Sequence, residues 1–143
     1  MNISDTHPVR KEDSKPLILH RADWASHHSL WKGHLEGRAL GTEVTVLFFA
    51  TQEVGKGPRW HVHPYDELFI VREGRALFNI GDEKIEATAG DILLGPRNVP
   101  HKYHNLGHGL LETTDIHVSP RWIQTNLEDP EMGMSGKVEP QES

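Results

Sequence analysis

The sequence predicts an all-β domain whose strands form an antiparallel barrel or a sandwich. Its apolar, β-rich segments are short, and Gly, Pro, Asn or Asp residues separate them at close intervals. Many short strands divided by turn signals are typical of antiparallel barrels and sandwiches. A chain of 143 residues corresponds to one domain by length, and the sequence contains no internal repeat.

The predicted domain lies between two polar tails. Residues 1–16 and 128–143 have no apolar period, so we expect both to be flexible. The domain is therefore placed at residues 17–127, with its barrel core at 42–119. At its start, Leu17-Ile18-Leu19 is a short apolar run and a candidate edge strand, of this barrel or of a partner's.

The segment from Thr42 to Ala50 is the clearest strand in the sequence, because it is rich in Val, Phe and Leu. Both of its faces are partly apolar, so we expect one to face the barrel core and the other a second sheet or a subunit. The chain before it, residues 24–40, is expected to be irregular. The other predicted strands span residues 67–71, 76–80, 84–88, 91–94, 101–105 and 110–118, with a tight hairpin at Gly81-Asp82-Glu83. A short helix is predicted from Ser119 to Leu127, with Ser119 as its cap and Pro120 in its first turn.

Composition excludes several kinds of site and partner. The chain has no cysteine, which excludes disulfides and thiolate metal ligands. Its net charge is −6, but five acidic side chains and one lysine after residue 127 account for −4 of it, so the predicted domain is near neutral. Because Lys and Arg are not clustered, we expect no nucleic-acid partner. No apolar run is long enough to cross a membrane and the N-terminus lacks a secretory signal, so we expect a cytoplasmic protein.

The stretch from Gly55 to Gly74 contains the strongest chemical signal. His61 and His63 are two residues apart, and on a strand such side chains point to the same face. The segment Pro64–Asp66 makes a short connection, after which Glu67 opens the next apolar strand. Two imidazoles and one carboxylate in this arrangement predict a site for a hard-to-borderline cation.

A second stretch, from Gly90 to Asn105, begins a strand at His101 after a Pro/Asn turn. Together the two stretches resemble the paired signature of the cupin superfamily, in which a His-x-His and a Glu lie between two glycines and a later His follows a Pro-x-Gly turn. The matching residues are Gly55, His61, His63, Glu67, Gly74, Gly90, Pro96, His101 and Asn105. Asn98 replaces the glycine of the second pattern, a mild departure because Asn tolerates a left-handed backbone conformation.

The resemblance implies a double-stranded β-helix, or jelly-roll barrel, over roughly residues 42–119. It also implies that His61, His63, Glu67 and His101 hold one divalent transition metal, which would be Fe, Mn, Ni, Co or Zn. On an ion that accepts five or six ligands, these four leave one or two positions open for water, dioxygen or a substrate. The alternatives are a metal-free barrel mouth and a purely structural metal. The resemblance and the strands that are apolar on both faces further imply a homodimer.

Cupins with this ligand set include oxygenases as well as isomerases and lyases of sugars and small acids. Our most concrete prediction is a metal-dependent oxygenase of the dioxygenase type, acting on a small organic acid or a diketone-like chelator. A metal-dependent isomerase or lyase is the alternative, with Tyr103 or His117 as the proton carrier. A non-enzymatic module that binds a small molecule is the third interpretation.

Strand parity adds candidate residues around the predicted metal. Arg59 shares the face of the histidine pair, so it is either a partner for an anionic substrate or a solvated loop residue. Tyr103 faces inward, where it contacts substrate or fills the barrel, and Asn105 is a candidate to orient a ligand through a hydrogen bond. Phe69 and Phe78 are predicted to line the barrel.

The remaining histidines and acids have weaker patterns. His27, His28 and His34 lack the spacing of metal ligands, so we expect surface or hydrogen-bonded side chains. Asp115 and His117 share one face of the last strand; one interpretation is an acid/base pair near the site, but we favour a cross-strand pair at the surface. The sequence has no nucleophile elbow and no phosphate-binding glycine loop.

Overall fold

A computed structural model of the protein describes residues 15–131 and shows an all-β fold with two antiparallel sheets. In this part of the chain the strands are β1 (Gly33–Leu35), β2 (Thr45–Thr51), β3 (His61–Val62), β4 (Glu67–Glu73), β5 (Arg75–Ile80), β6 (Glu83–Thr88), β7 (Ile92–Gly95), β8 (His101–Asn105), β9 (Leu111–His117) and β10 (Thr125–Asn126). The first sheet has the order β1-β2-β9-β4-β7 and the second the order β10-β3-β8-β5-β6. The predicted fold class is confirmed, and β8 has the predicted bounds.

The two sheets pack their inner faces together around an aromatic and aliphatic core. Alternate residues of β2 show the period of two, since Thr45, Leu47 and Phe49 are buried while Val46 and Phe48 lie on the outer face and are half-buried. The other core side chains come from β4 to β9: Phe69, Val71, Ala76, Phe78, Ile80, Ala87, Leu93, Tyr103 and Leu111. The sandwich is therefore filled by side chains, with polar groups concentrated near the start of β3, β4 and β8.

The outer face of β2 is covered by the chain that precedes β1. Trp24, which ends a short helix α1 (Arg21–Trp24), stacks on Phe48 with ring centroids 3.9 Å apart. Trp31 meets Phe48 edge-on at 5.0 Å, and its indole N–H donates to Thr114 Oγ1 at 3.1 Å. We expected a second sheet or a subunit to cover this face. Around Phe48 it is covered instead by two tryptophans of the same chain.

Two predicted features near the N-terminus differ in the structure. Leu17–Leu19 form no strand, and their side chains are 66%, 75% and 36% exposed. The chain instead turns into helix α1, whose start is fixed because Asp23 Oδ2 accepts the backbone N–H of His20 at 2.8 Å. Residues 24–40, expected to be irregular, contain β1 and a 3₁₀ turn at Gly37–Ala39.

The helix predicted from Ser119 to Leu127 does not form. Its backbone N–H groups bind distant acceptors instead of the carbonyls one turn earlier, so the segment crosses the end of the barrel in an extended path. Ser119 Oγ accepts locally from Arg121 N–H at 3.1 Å, as in a serine turn. The distant acceptors are Glu36 Oε2 for Trp122 N at 2.9 Å, Tyr65 OH for Ile123 N at 3.0 Å and the Trp60 carbonyl for Leu127 N at 3.0 Å.

Residues 128–131, assigned to a tail by the sequence, are fastened to the second sheet. Asp129 is buried, and its Oδ2 lies 2.5 Å from Lys102 Nζ on β8. Glu131 contacts Lys84 Nζ at 2.5 Å and Lys102 Nζ at 3.3 Å. The rest of both predicted tails, residues 1–14 and 132–143, lies outside the described residues. None of the helices within residues 15–131 is long and apolar enough to span a membrane.

Candidate metal centre

The four predicted ligands meet at one end of the barrel. His61 opens β3 and pairs directly with His101, which opens β8; His63 follows β3, and Glu67 opens β4. Their side chains are at most 2% exposed, and one donor atom from each lies within 4.8 Å of all the others. Pairing of β3 with β8 and the short turn before β4 therefore produce the convergence that the spacing of the sequence predicts.

Backbone carbonyls fix the protonation of the three histidine rings. A carbonyl oxygen can only accept, so an imidazole nitrogen facing one carries the hydrogen, and the other nitrogen keeps its lone pair. The Nδ1 atoms face the carbonyl oxygens of Arg59 (from His61), Ile123 (from His63, 2.6 Å) and Val99 (from His101, 3.3 Å). With Nδ1 facing a carbonyl, Nε2 is the ring nitrogen that is placed to bind a metal, and in all three rings it points into the centre.

Three ring nitrogens and a carboxylate oxygen converge at this centre, and among the described residues only the His101 Nε2 contact with Glu67 Oε1 has hydrogen-bond geometry. Glu67 Oε1 lies 3.1 Å from Nε2 of His63 and 3.1 Å from Nε2 of His101. The Nε2 atoms of His61 and His63 are buried and have no hydrogen-bond partner within residues 15–131. Buried lone pairs that face a carboxylate are costly unless a cation compensates them, so the residues fit a bound metal ion.

The electrostatics of the centre favour a cation at neutral pH. Burial lowers the pKa of His61 to about 3, and the neighbouring His101 and His63 add to this effect. Burial would raise the pKa of Glu67, but His117, His101 and His63 outweigh it and hold that pKa well below its ordinary value. His61 is therefore neutral and Glu67 ionised, as metal ligands must be. Nitrogen and oxygen donors of this kind suit divalent first-row transition metals.

The turn before β8 has the conformation expected of it. Asn98 has a φ of 63°, in the left-handed region, where the family pattern has glycine. Its backbone N–H donates to the His63 carbonyl at 2.8 Å, which ties the Pro96–Pro100 loop to the first ligand stretch.

The predicted barrel lining is confirmed for the aromatic residues. Phe69 is fully buried and meets the His101 ring edge-on at 5.1 Å, while Phe78, also fully buried, packs on Tyr103 at 4.7 Å. Tyr103 fills the barrel, and its hydroxyl donates to Asp115 Oδ2 at 2.7 Å and lies 2.9 Å from Thr113 Oγ1. Burial and the nearby Asp115 raise the pKa of Tyr103 well above its usual range, so the phenol keeps its proton.

Asn105, a candidate from the sequence to orient a metal ligand, binds the backbone of the following turn instead. Its Nδ2 donates to the Gly109 carbonyl at 3.0 Å, and its Oδ1 accepts the N–H of Gly107 at 2.9 Å. The reason is position: Asn105 ends β8 four residues after His101, roughly 13 Å away along an extended strand. It stabilises the turn before β9.

Arg59 lies beside the centre through its backbone. Its carbonyl binds the His61 ring, whereas its side chain is half-buried and the Nε atom has no hydrogen-bond partner within the described range. No side chain among the described residues binds this Nε atom, so it is available to the anion that the sequence predicts as its partner.

His117 lies against Glu67 and Tyr65 lies against His117, although the sequence favoured a surface position for the first and a turn for the second. The interpretation of Asp115 and His117 as a surface pair is wrong, because both are completely buried on the inner face of β9. His117 pairs across the sheet with Glu67, and its Nε2 lies 3.0 Å from Glu67 Oε2. Tyr65, assigned to a turn, is buried with its hydroxyl 2.7 Å from His117 Nδ1. Asp115 and His117 are four and six residues after the buried Leu111, so strand alternation places them on its inner face. The apolar Ile116 lies on the outer face, which made the opposite assignment look plausible.

Comparison with known proteins gives a family match and partial relatives. Residues 48–117 match the family described as Cupin domain. An uncharacterized protein of Methanocaldococcus jannaschii, MJ1618, is 36% identical over 56 residues, which cover 38% of this chain and 45% of that protein. An uncharacterized protein of Streptomyces coelicolor, SCO3923, is 33% identical over 48 residues, which cover 34% of this chain and 46% of that protein. The similarity thus spans less than half the length of either relative.

Solved structures share the fold at low identity. Oxalate decarboxylase of Bacillus subtilis superimposes with a TM-score of 0.61 and 17% identity, covering 67% of this chain and 27% of that one. An uncharacterized protein with a double-stranded β-helix domain from Klebsiella pneumoniae gives a TM-score of 0.61 and 17% identity, covering 80% of this chain and 100% of that one. These likenesses establish the architecture and leave the activity open.

Proposed function

Since this chain contains a cupin domain, we propose that it binds one divalent transition-metal ion through His61, His63, Glu67 and His101. The observation that carries the proposal is the convergence of three buried imidazole Nε2 atoms on a buried carboxylate, with each Nδ1 facing a backbone carbonyl. Fe, Mn, Ni, Co and Zn all suit the donors. The Bacillus subtilis oxalate decarboxylase has Mn(II) centres, which supports including manganese.

Metal analysis of untagged protein, purified without added metal, tests this proposal. We expect about one equivalent in the unaltered protein and a sharp loss in His61→Ala and in His101→Ala, since each removes a buried donor atom. His28→Ala is the matched control, because His28 is an exposed histidine of the loop before β1. A full equivalent of metal in both ligand variants would show that the ion lies elsewhere.

We further propose that the protein is an enzyme, a metal-dependent oxygenase of the dioxygenase type that acts on a small organic acid or a diketone-like chelator. When bound, the ion would supply Lewis-acid and redox chemistry at positions that the four protein donors leave open. The fully buried Phe69, Val71 and Phe78 give the interior an apolar lining, which keeps bulk water from the reacting groups.

The chain's own residues have separate roles in this proposal. Arg59, whose guanidinium carries an orphaned buried Nε, would bind the carboxylate of an acid substrate. Tyr103 keeps its proton at neutral pH, so it would act on a substrate as a hydrogen-bond donor and not as a base, and its hydroxyl would turn from Asp115 to do so. Arg59→Ala is expected to raise the KM of an anionic substrate more than it lowers kcat, because the contact is made in the ground state as well.

Two alternatives concern the reaction. A metal-dependent isomerase or lyase is supported by the oxalate decarboxylase among the fold neighbours, and Tyr103 or His117 would then carry the proton. The second alternative is a non-enzymatic module, which would bind a small molecule at the same metal centre without converting it.

Oxygen consumption separates these possibilities. Protein loaded with Fe(II) or Mn(II) would be offered oxalate, other small acids and a 1,3-diketone in an oxygen electrode and, in parallel, under nitrogen. Substrate-dependent oxygen uptake that His101→Ala abolishes is the expected result. Equal turnover under nitrogen would contradict the oxygenase and support the isomerase or lyase, whereas tight binding without turnover would support the binding module.

We also propose that the protein forms a homodimer through the outer face of the first sheet. One unbroken aliphatic row crosses four strands there, formed by Val46, Ile116, Leu68 and Leu94. Next to it lie Ile92, which is 63% exposed, and Val118, which is 51% exposed. The row contains no charged side chain, so two copies of it can meet without charge repulsion, and a contiguous apolar row of this kind is typical of interfaces.

A further inference from the structure

Glu67 presents its two carboxylate oxygens to different histidines. Oε1 lies 3.1 Å from Nε2 of both His63 and His101, among the candidate metal ligands. Oε2 lies 3.0 Å from Nε2 of His117, a fourth buried histidine that approaches from the neighbouring strand β9. His117 is completely buried, so water does not replace this contact.

Tyr65 faces the other nitrogen of the His117 ring. Its hydroxyl lies 2.7 Å from His117 Nδ1, 3.0 Å from the Ile123 backbone nitrogen and 3.0 Å from the Ile123 carbonyl oxygen. That carbonyl already accepts from His63 Nδ1 at 2.6 Å. A phenol has one hydrogen, so its direction decides which nitrogen of His117 is protonated.

One arrangement of hydrogens in this network leaves no two acceptor atoms facing each other. The Ile123 N–H donates to the Tyr65 oxygen, and the Tyr65 O–H donates to His117 Nδ1. The hydrogen on His117 then sits on Nε2, which lies 3.0 Å from Glu67 Oε2. In the opposite arrangement the lone pair of His117 Nε2 would face a carboxylate inside the barrel, at the cost of two opposed buried acceptors.

We propose that His117 is a positioning residue that occupies the second oxygen of Glu67, so that this carboxylate binds the metal through Oε1 alone. This rests on the proposed metal site. Tyr65 would fix the ring tautomer, as partners of metal-site residues commonly do. A carboxylate freed of His117 can offer both oxygens to the ion. On a six-coordinate ion that would reduce the open positions from two to one, so His117 would keep the second position available.

Loading with Mn(II) and measuring water-proton relaxivity tests this, because relaxivity reports how many exchangeable waters the ion holds. We expect His117→Leu to retain Mn(II), with affinity reduced by about 10- to 100-fold, and to lose about half of the relaxivity per bound ion. His117→Gln, whose amide N–H can replace the Nε2 donor, should restore it. Tyr65→Phe should fall between them, since it leaves the histidine in place without its tautomer-fixing partner.

The outcomes are distinguishable from failure of the metal site itself. If the unaltered protein binds no Mn(II) or other divalent ion, both the metal centre and the role of His117 are refuted. If it binds Mn(II) but His117→Leu, folded by circular dichroism, shows unchanged affinity and relaxivity, the positioning role alone is refuted. Relaxivity as low in His117→Gln as in His117→Leu would also contradict it, because the restored donor would then be irrelevant.

Discussion

Acidification of the metal-free protein is expected to reduce its stability between pH 6.5 and about pH 3 because of His61. The pKa of His61 is lowered by burial from 6.5 to about 3 in the folded protein. In the unfolded chain the same ring binds a proton near pH 6.5, so the unfolded state holds more protons throughout this interval. The stability that His61 contributes is therefore complete above pH 6.5 and is lost as the pH falls towards 3.

The magnitude follows from the size of the interval. One proton taken up on unfolding changes the free energy of unfolding by about 1.4 kcal/mol per pH unit, so the loss approaches about 5 kcal/mol at pH 3. That is a large part of the 5–15 kcal/mol typical of a single domain. The pKa values of His117 and Glu67 are also lowered, by burial and by the surrounding histidines respectively, and both act in the same direction.

Urea unfolding followed by circular dichroism, in the presence of a chelator and at pH values from 7 to 4, measures this dependence. His61→Asn is the matched variant, because its amide can still donate to the Arg59 carbonyl but does not titrate. We expect its slope to be smaller than that of the unaltered protein by about 1.4 kcal/mol per pH unit below pH 6. Equal slopes, or a free energy of unfolding that is constant from pH 6.5 to pH 4, would refute the assignment of His61 as a buried neutral ring.

Two further predictions concern the backbone and the outer face. Because Asn98 has a φ of 63°, this position should tolerate glycine but not alanine. In urea unfolding, Asn98→Ala is expected to lower the free energy of unfolding by about 1 kcal/mol, and Asn98→Gly to leave it equal or higher. The reverse order would contradict the left-handed assignment. For the homodimer, sedimentation should show a dimer. Ile92→Glu combined with Leu94→Glu is expected to weaken it by about 100-fold or more, because carboxylates would be buried without partners. Val54→Glu, at a 67% exposed residue of the loop after β2, should have no effect. A monomer at 100 µM in the unaltered protein, or a dimer that survives the double substitution, would exclude this interface.

The four candidate ligands could be predicted because residue spacing and short turns, which the sequence shows directly, place them. The two-residue spacing of His61 and His63, the short turn to Glu67 and the Asn98 turn before His101 each fix a direction within a few residues. The backbone directions that these features set do not depend on contacts with distant parts of the chain. The bounds of β4 to β9 were predicted to within about two residues for the same reason, since turn signals delimit these strands.

The errors arose where distant contacts decide the structure. Ser119 and Pro120 are good helix-starting residues, but Glu36, Tyr65 and Trp60 capture the backbone donors of the segment that follows. His117 and Tyr65 meet only because β9 and β4 are neighbours in the sheet, a pairing between segments about 50 residues apart. Spacing along the chain contains no information about such a meeting.

The carbonyl that orients His63 belongs to Ile123, 60 residues later in the chain. A chain cut after His101 would hold all four candidate ligands but would lack the acceptor that faces His63 Nδ1. The geometry of the candidate metal centre therefore depends on the segment that crosses the end of the barrel as well as on the strands that carry its four residues.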